Sequence, residues 1–270
     1  WQRGNIRLKF AIIAALVFSL IGLVDSYNEL PFSLANYSSD KSYPGFVALT
    51  LMSPLLIALM TFLGSTVLIM AGEFIYRKTF PEKLALEELV TKNGLASKEV
   101  RMGLLIGIVW CAVSLGYQIT YYYLGRKVGF WCPIQLDQYQ VLGSYFPWFG
   151  AVGLGVSASG SEELLYRVLF LGLMQPLVKR FWLANLLQAA GWGFMHSSYE
   201  QQPCYARGLE LTIEGMLDGW ILRRFGLLPC LVSHYLFDAF CCVTPLFKAP
   251  VDLKFTAIYP LIPILALLAY

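Results

Sequence analysis

Long apolar runs, divided by short polar connections, set the plan of this chain. The first covers residues 10–24, behind Arg3, Arg7 and Lys9, and needs flanking residues to reach membrane-spanning length. A polar stretch with Asp25, Glu29, Asp40 and Lys41 leads to a second run, 46–71. The longest polar connection, 72–101, follows. Within it, 81–90 reads as a short amphipathic helix, with Pro81 in its first turn and Asn93-Gly94 as its stop. Ser97 is placed to cap the third run, 103–124. After an aromatic-rich connection (Trp131, Tyr139, Tyr145, Trp148), runs 149–178, 181–196, 209–222, 227–246 and 255–270 complete the chain. The fourth run is longer than one span needs, so the Gly/Ser interruption from Ser157 to Ser161 is expected to bend it. Gly103/Gly107 and Gly215/Gly219 share a spacing suited to close helix contact. The pattern predicts an all-α, polytopic transmembrane bundle of about eight helices. It forms a single domain, 1–270, with its chemistry concentrated in 146–246.

Composition places this bundle in a lipid bilayer. Charged residues make up 14% of the chain, against about 25% in a soluble domain, and mean hydropathy is +0.60. The net charge of +3, without a basic block interleaved with aromatics, excludes nucleic acid as a partner. Six cysteines contain no CxxC pair. Cys111, Cys230, Cys241 and Cys242 lie in apolar runs, where thiols pack as small hydrophobes. Cys132 and Cys204 lie in connections and could pair in an oxidising space. The chain starts at Trp1, as an excerpt of a longer product would, and shows no cleavable signal peptide.

Lysine and arginine set an orientation. Alternating the runs puts thirteen on one side (Arg3, Arg7, Lys9, Arg77, Lys78, Lys83, Lys92, Lys98, Arg101, Lys179, Arg180, Arg223 and Arg224). Six fall on the other: Lys41, Arg126, Lys127, Arg207, Lys248 and Lys254. The first side is expected to be cytoplasmic, with the N-terminus inside, in the cell membrane if the source is bacterial.

Against this apolar background one heptapeptide stands out, Ser161-Glu-Glu-Leu-Leu-Tyr-Arg167. Charges at bilayer depth are expensive, so each needs a partner or a task. Glu163 and Arg167 are i,i+4 neighbours and can pair, whereas Glu162 points about 100° away and is left over. A structural ion-pair cluster is the plain reading of such a triad. The chain's two histidines argue for more. Trp192 and His196 are i,i+4 on the next helix, and His234 and Asp238 are i,i+4 on a later one. If these helices converge, Glu162, His196, His234 and Asp238 surround one cavity. There a carboxylate can take a proton from water while imidazoles orient that water or bind a metal.

Glu162-Glu163-x-x-x-Arg167, Trp192-x-x-x-His196 and His234-x-x-x-Asp238 resemble, in order, the EExxxR, FxxxH and HxxxN/D signatures of the CPBP family. These are intramembrane proteases related to CAAX-prenyl endopeptidases and bacteriocin-processing proteins. The resemblance covers about residues 149–245. It implies that Glu162 activates water with help from His196, and that His234 and Asp238 stabilise the oxyanion or position the water. Glu163–Arg167 would be the structural pair, and the substrate a peptide or a lipidated protein. Trp192 stands where Phe is usual, a packing change, and Asp238 where Asn is common. The cofactor is left open between none and zinc, for which Glu162, His196 and His234 would be the ligands. By simple counting, Glu162 lies about 25 Å along a helix from Lys179, in the outer half of the membrane. A CAAX protease meets its substrate at the cytoplasmic face, so exported precursor peptides are the other substrate class. Gly155-Val156-Ser157 is faintly similar to the serine motif of rhomboid proteases but leaves the Glu-Glu-x-x-x-Arg triad unexplained. A non-proteolytic membrane protein, a proton-coupled transporter or a bacteriocin-immunity-type protein, is the alternative of another class.

Overall fold

The structure, a computed structural model, describes residues 7–133 and 141–270. Trp1, Arg3 and Tyr139 lie outside the described residues. The chain runs α1 (Leu8–Asn28), α2 (Leu30–Ala35), α3 (Tyr43–Thr79), α4 (Leu86–Leu89), α5 (Lys92–Leu95) and α6 (Lys98–Gly125). Then come α7 (Pro147–Glu162), a π-helical segment (Glu163–Phe170), α8 (Leu171–Val178), α9 (Phe181–Met195) and α10 (Tyr205–Phe225). It ends with α11 (Leu228–Val243), α12 (Val251–Lys254) and α13 (Ile262–Ala269). Among the described residues the only extended pairing is one isolated antiparallel bridge, Trp131 with Gln202. The all-α polytopic reading holds.

Among the described residues five helical stretches are long and apolar enough to cross a membrane: Leu8–Asn28, Tyr43–Thr79, Lys98–Val128, Leu228–Lys248 and Val251–Ala269. Each matches one of the expected eight runs. The other three runs miss that criterion for separable reasons. The fourth is divided by the π segment. The fifth, α9, has 15 residues, about 22 Å of helix. The sixth, α10, carries Arg207, Glu210, Glu214, Asp218, Arg223 and Arg224.

Small residues let these helices approach. A methyl group at Gly107 would come within 2.6 Å of Val232 Cβ, and one at Gly103 within 3.0 Å of Leu228, so α6 lies close against α11. Gly215 faces Ala189 and Trp192, and Gly219 faces Asn185, which seats α10 on α9. α11 also packs along α7. Through these contacts α7, α9, α10 and α11 meet around one polar cavity.

Local details depart from expectation in three places. Helix 81–90 shrinks to α4, and Asn93-Gly94 lies within α5 instead of stopping a helix. The buried Glu73 carboxylate accepts the Leu86 N–H, which holds the turn open. The Thr91 side chain accepts the Gly94 N–H and restarts the helix. The bend expected at Ser157–Ser161 falls one step later. α7 runs through that stretch, with Ser159 Oγ donating to the Gly155 carbonyl and Ser161 Oγ to the Ser157 carbonyl. Such back-bonding loosens a helix, and the π segment begins at Glu163. Finally, Arg207 is buried in α10 and paired with Glu210, so it drops out of the outer-loop cation count. Ser97 does cap α6, accepting the Val100 N–H at 3.1 Å.

Candidate active site

The π segment explains how two adjacent glutamates serve different neighbours. Single-turn π geometry inside α-helices often marks functional sites, because it shifts the faces that successive side chains address. Glu162 ends α7 and reaches the cavity, while Glu163 starts the π segment and is 1% exposed. Glu163 Oε1 lies 2.9 Å from His234 Nδ1. Its other oxygen faces Arg167 Nε at 3.4 Å, an ion pair without hydrogen-bond geometry. The expected Glu163–Arg167 pair is therefore present but is the weaker half of the cluster. Arg167, fully buried, donates from Nη2 to Asp218 Oδ2 at 2.7 Å. Trp110 Nε1 donates to the other Asp218 oxygen, also at 2.7 Å. The guanidinium carbon stands 3.7 Å from the centroid of the Trp192 ring, a cation–π contact.

Trp192 does more than the packing expected of it. Its Nε1–H donates to Glu162 Oε2 at 2.5 Å, so the indole fixes the carboxylate on one edge and covers Arg167 with its face. Glu162 thus has a partner that the sequence reading did not give it. The same oxygen lies 3.7 Å from His196 Nε2 and 4.0 Å from His234 Nε2. His196 Nδ1 donates to the Trp192 carbonyl at 2.8 Å, and that acceptor fixes Nδ1 as the protonated nitrogen. With Nδ1 of each ring turned to an acceptor, Nε2 of each ring is left facing Glu162. His234 Nε2 also lies 3.5 Å from Asp238 Oδ2. The four residues expected to converge do converge.

Their cavity has a volume of about 600 Å³ and includes Tyr199 and Cys132 among its lining residues. Tyr199, in the connection after α9, stacks edge-on against His196 at 5.2 Å. Burial, and after it the nearby Glu162 carboxylate, hold the Tyr199 phenol above its ordinary range, so it stays a proton donor. Cys132 and Cys204 are free, exposed thiols. Ser157 lines a separate cavity beside Asp25 and Glu29, away from both histidines, which leaves the rhomboid-type serine without its base.

The donor set Glu162, His196 and His234 is of the chemical kind zinc accepts. As placed, however, no three His, Cys, Asp or Glu side chains among the described residues come together as a group that could hold an ion. The chemistry below is therefore derived through these side chains alone. Sequence reasoning missed Asp218 as Arg167's main partner. It also missed the buried column Arg207, Glu210, Glu214 and Asp218 on α10. A signal existed, four charged residues at helical spacings of three and four inside a membrane segment.

Comparison with known proteins agrees with the three motifs. Residues 144–240, about a third of the chain, match the family described as type II CAAX prenyl endopeptidase Rce1-like. That segment holds all the motif residues. The chain is 21% identical over 247 residues to the sporulation-killing factor biosynthesis protein SkfC of Bacillus subtilis (strain 168). The alignment covers 88% of this chain and 46% of that protein, so the chain spans about half the length of this curated relative. No solved structure matches it. Over the segment that carries its candidate active site, this chain is similar to the Rce1-like type II CAAX prenyl endopeptidases, as its three motifs imply.

Proposed function

We propose that this chain is an intramembrane endopeptidase in which Glu162 activates water. The observation that carries this reading is the Glu162 carboxylate held by Trp192, with the Nε2 atoms of His196 and His234 within 4.0 Å of one of its oxygens. These separations exceed a direct hydrogen bond and leave place for a shared water. Glu162 takes a proton from that water while the water oxygen bonds to the scissile carbonyl carbon. The carbonyl electrons move to oxygen, where Tyr199 O–H or an imidazolium Nε2–H donates. The C–N bond then breaks as Glu162 returns the proton to the leaving nitrogen. Asp238 and Glu163 orient His234 from two sides, and Arg167 anchors Glu163.

The family similarity supports prenylated CAAX proteins as substrates. The relative's part in killing-factor biosynthesis supports exported precursor peptides instead. A proton-relay role has one observation in its favour, the continuous buried charges along α10, and predicts function that collapses with the membrane gradient.

The test uses purified protein in detergent, where no gradient exists. Farnesylated CAAX peptides and their unprenylated counterparts are offered to wild type, Glu162→Gln and His196→Ala, with and without a chelator. The expected result is cleavage by wild type, loss in Glu162→Gln without change in thermal unfolding, and a severe fall in His196→Ala. Cleavage retained by Glu162→Gln would sink the assignment. The chelator arm decides between water activation by side chains alone and a metal held by Glu162, His196 and His234.

A further inference from the structure

Five acidic residues are buried among the described residues: Glu73, Glu163, Glu210, Glu214 and Asp218. Four of them have an arginine partner within the chain. Glu73 accepts from Arg77 and the Leu86 N–H. Glu163 holds His234 and Arg167. Glu210 receives Arg207 through both oxygens, at 2.8 and 2.6 Å, and the Tyr122 hydroxyl at 3.0 Å. Asp218 receives Arg167 and Trp110. Glu214 differs. It is 8% exposed, lines the same cavity as Glu162 and the two histidines, and makes no ion pair with any described residue. Its polar neighbour is the buried Ser114 hydroxyl, which is neutral and leaves the carboxylate without a counter-charge.

A buried carboxylate in a cavity wall with no cationic partner among the described residues implies a guest that supplies the missing charge. The charges around the cavity say which. Its lining holds four carboxylates, Glu162, Glu214, Asp218 and Asp238, and one guanidinium, Arg207. Arg207 is taken up by Glu210 outside that set, and Asp218 by Arg167. The unmatched charge is therefore negative, and Glu214 carries part of it beside Glu162. A single long cationic side chain fits, since it brings one positive charge on an apolar stem. Tyr122, Trp192 and Phe237 in the same wall offer apolar surface to an aliphatic stem.

We propose that Glu214 is a specificity residue of this cavity, pairing with a lysine- or arginine-type side chain of the peptide that is cleaved. The proposal rests on the protease reading, and its test separates the two. The probes are fluorescent peptides carrying lysine at successive positions, each matched by a norleucine peptide of equal length without the charge. Binding is measured to the Glu162→Gln protein in detergent and to the Glu162→Gln/Glu214→Gln double variant, so that it does not depend on cleavage. At one lysine position at least a tenfold preference over norleucine is expected in the first protein, and none in the second. Glutamine keeps the size of the side chain, and the thermal unfolding of both proteins is compared. Glu214→Lys provides a second arm, in which preference should pass to a glutamate-containing peptide. Equal binding of lysine and norleucine peptides at every position, or a lysine preference that survives Glu214→Gln, overturns the proposal. Cleavage by wild type is scored separately. Discrimination in binding without any cleavage would remove the protease reading and leave the cation subsite. Cleavage without discrimination would do the reverse.

Discussion

Removing the charge of Asp218 should destabilise this protein more than removing the charge of Glu163. Sequence spacing alone predicts the opposite order, because it pairs Arg167 with Glu163. In the structure Arg167 lies 2.7 Å from Asp218 and 3.4 Å from Glu163, and only the first contact is a hydrogen bond. At an effective dielectric of about 20, unit charges at these separations attract by about 6 and about 5 kcal/mol. The remaining difference comes from the donors left behind. Asparagine at 218 has one acceptor oxygen for two facing donors, Arg167 Nη2 and Trp110 Nε1, and turns an NH2 toward the other. Glutamine at 163 can still accept from His234 Nδ1. Breaking a buried pair from one side costs about 3–5 kcal/mol, which Asp218→Asn should show nearly in full. For a domain of this size, about 2–4 °C per kcal/mol makes that a fall of roughly 6–20 °C in Tm. The assay is thermal unfolding in detergent, followed by reaction of the buried Cys111 and Cys230 thiols with a fluorogenic maleimide. A fall below about 2 °C for Asp218→Asn, or a larger fall for Glu163→Gln, would refute the assignment of Asp218 as the principal partner.

Three further outcomes are expected. Gly107→Ala places a methyl group against Val232 and the Pro229 carbonyl and should cost about 1–3 kcal/mol. Gly116→Ala, with nothing within 4 Å, should be neutral or stabilising in the same unfolding assay. If the N-terminus is inside, the connections bearing the exposed thiols Cys132 and Cys204 face outward. A membrane-impermeant maleimide should then label intact cells, and Cys132→Ser/Cys204→Ser should abolish the signal; labelling only after lysis would invert the topology. The Tyr199 phenol is raised by burial and by Glu162, so its neutral form belongs to the folded state. Its contribution is fully present below about pH 10, the ordinary tyrosine value, and is lost as pH rises through the higher folded value. Melting temperatures measured across that range should fall less steeply for Tyr199→Phe than for wild type.

The parts of this site that are legible in sequence are those written as i,i+4 pairs on one helix. Glu163–Arg167, Trp192–His196 and His234–Asp238 can be read because helical geometry brings such residues to one face. Their convergence could only be expected, since it depends on which helices touch. The glycine contacts of α6 with α11 and α9 with α10 now account for it. What escaped was set by tertiary contact. Asp218 lies 51 residues from Arg167, and no local periodicity links them. The π segment was misplaced because Gly and Ser attract a bend prediction, whereas the observed irregularity begins after the serine back-bonds, at the buried glutamate. Arg207 was counted as a loop cation because a helix start inside a polar stretch is hard to place from composition.

The membrane imposes a division of labour on these helices. The five stretches apolar enough to span on their own include only one that bears site residues, α11. Glu162, Trp192, His196 and the charged column of α10 belong to helices whose mean hydropathy or length falls short. What makes α10 compatible with a bilayer is the angular distribution of its residues, not their average. Leu209, Ile213, Leu217 and Trp220 are exposed along one face, while Arg207, Glu210, Glu214 and Asp218 are buried along another. The polar column is tolerable only where α6 and the π segment supply Tyr122, Trp110 and Arg167 to meet it. The site helices therefore depend on one another for stability in lipid in a way the framing helices do not. That dependence ties the integrity of the bundle to the integrity of the polar cavity. Among the described residues the one buried acid without a cationic partner, Glu214, lies in the wall of that cavity.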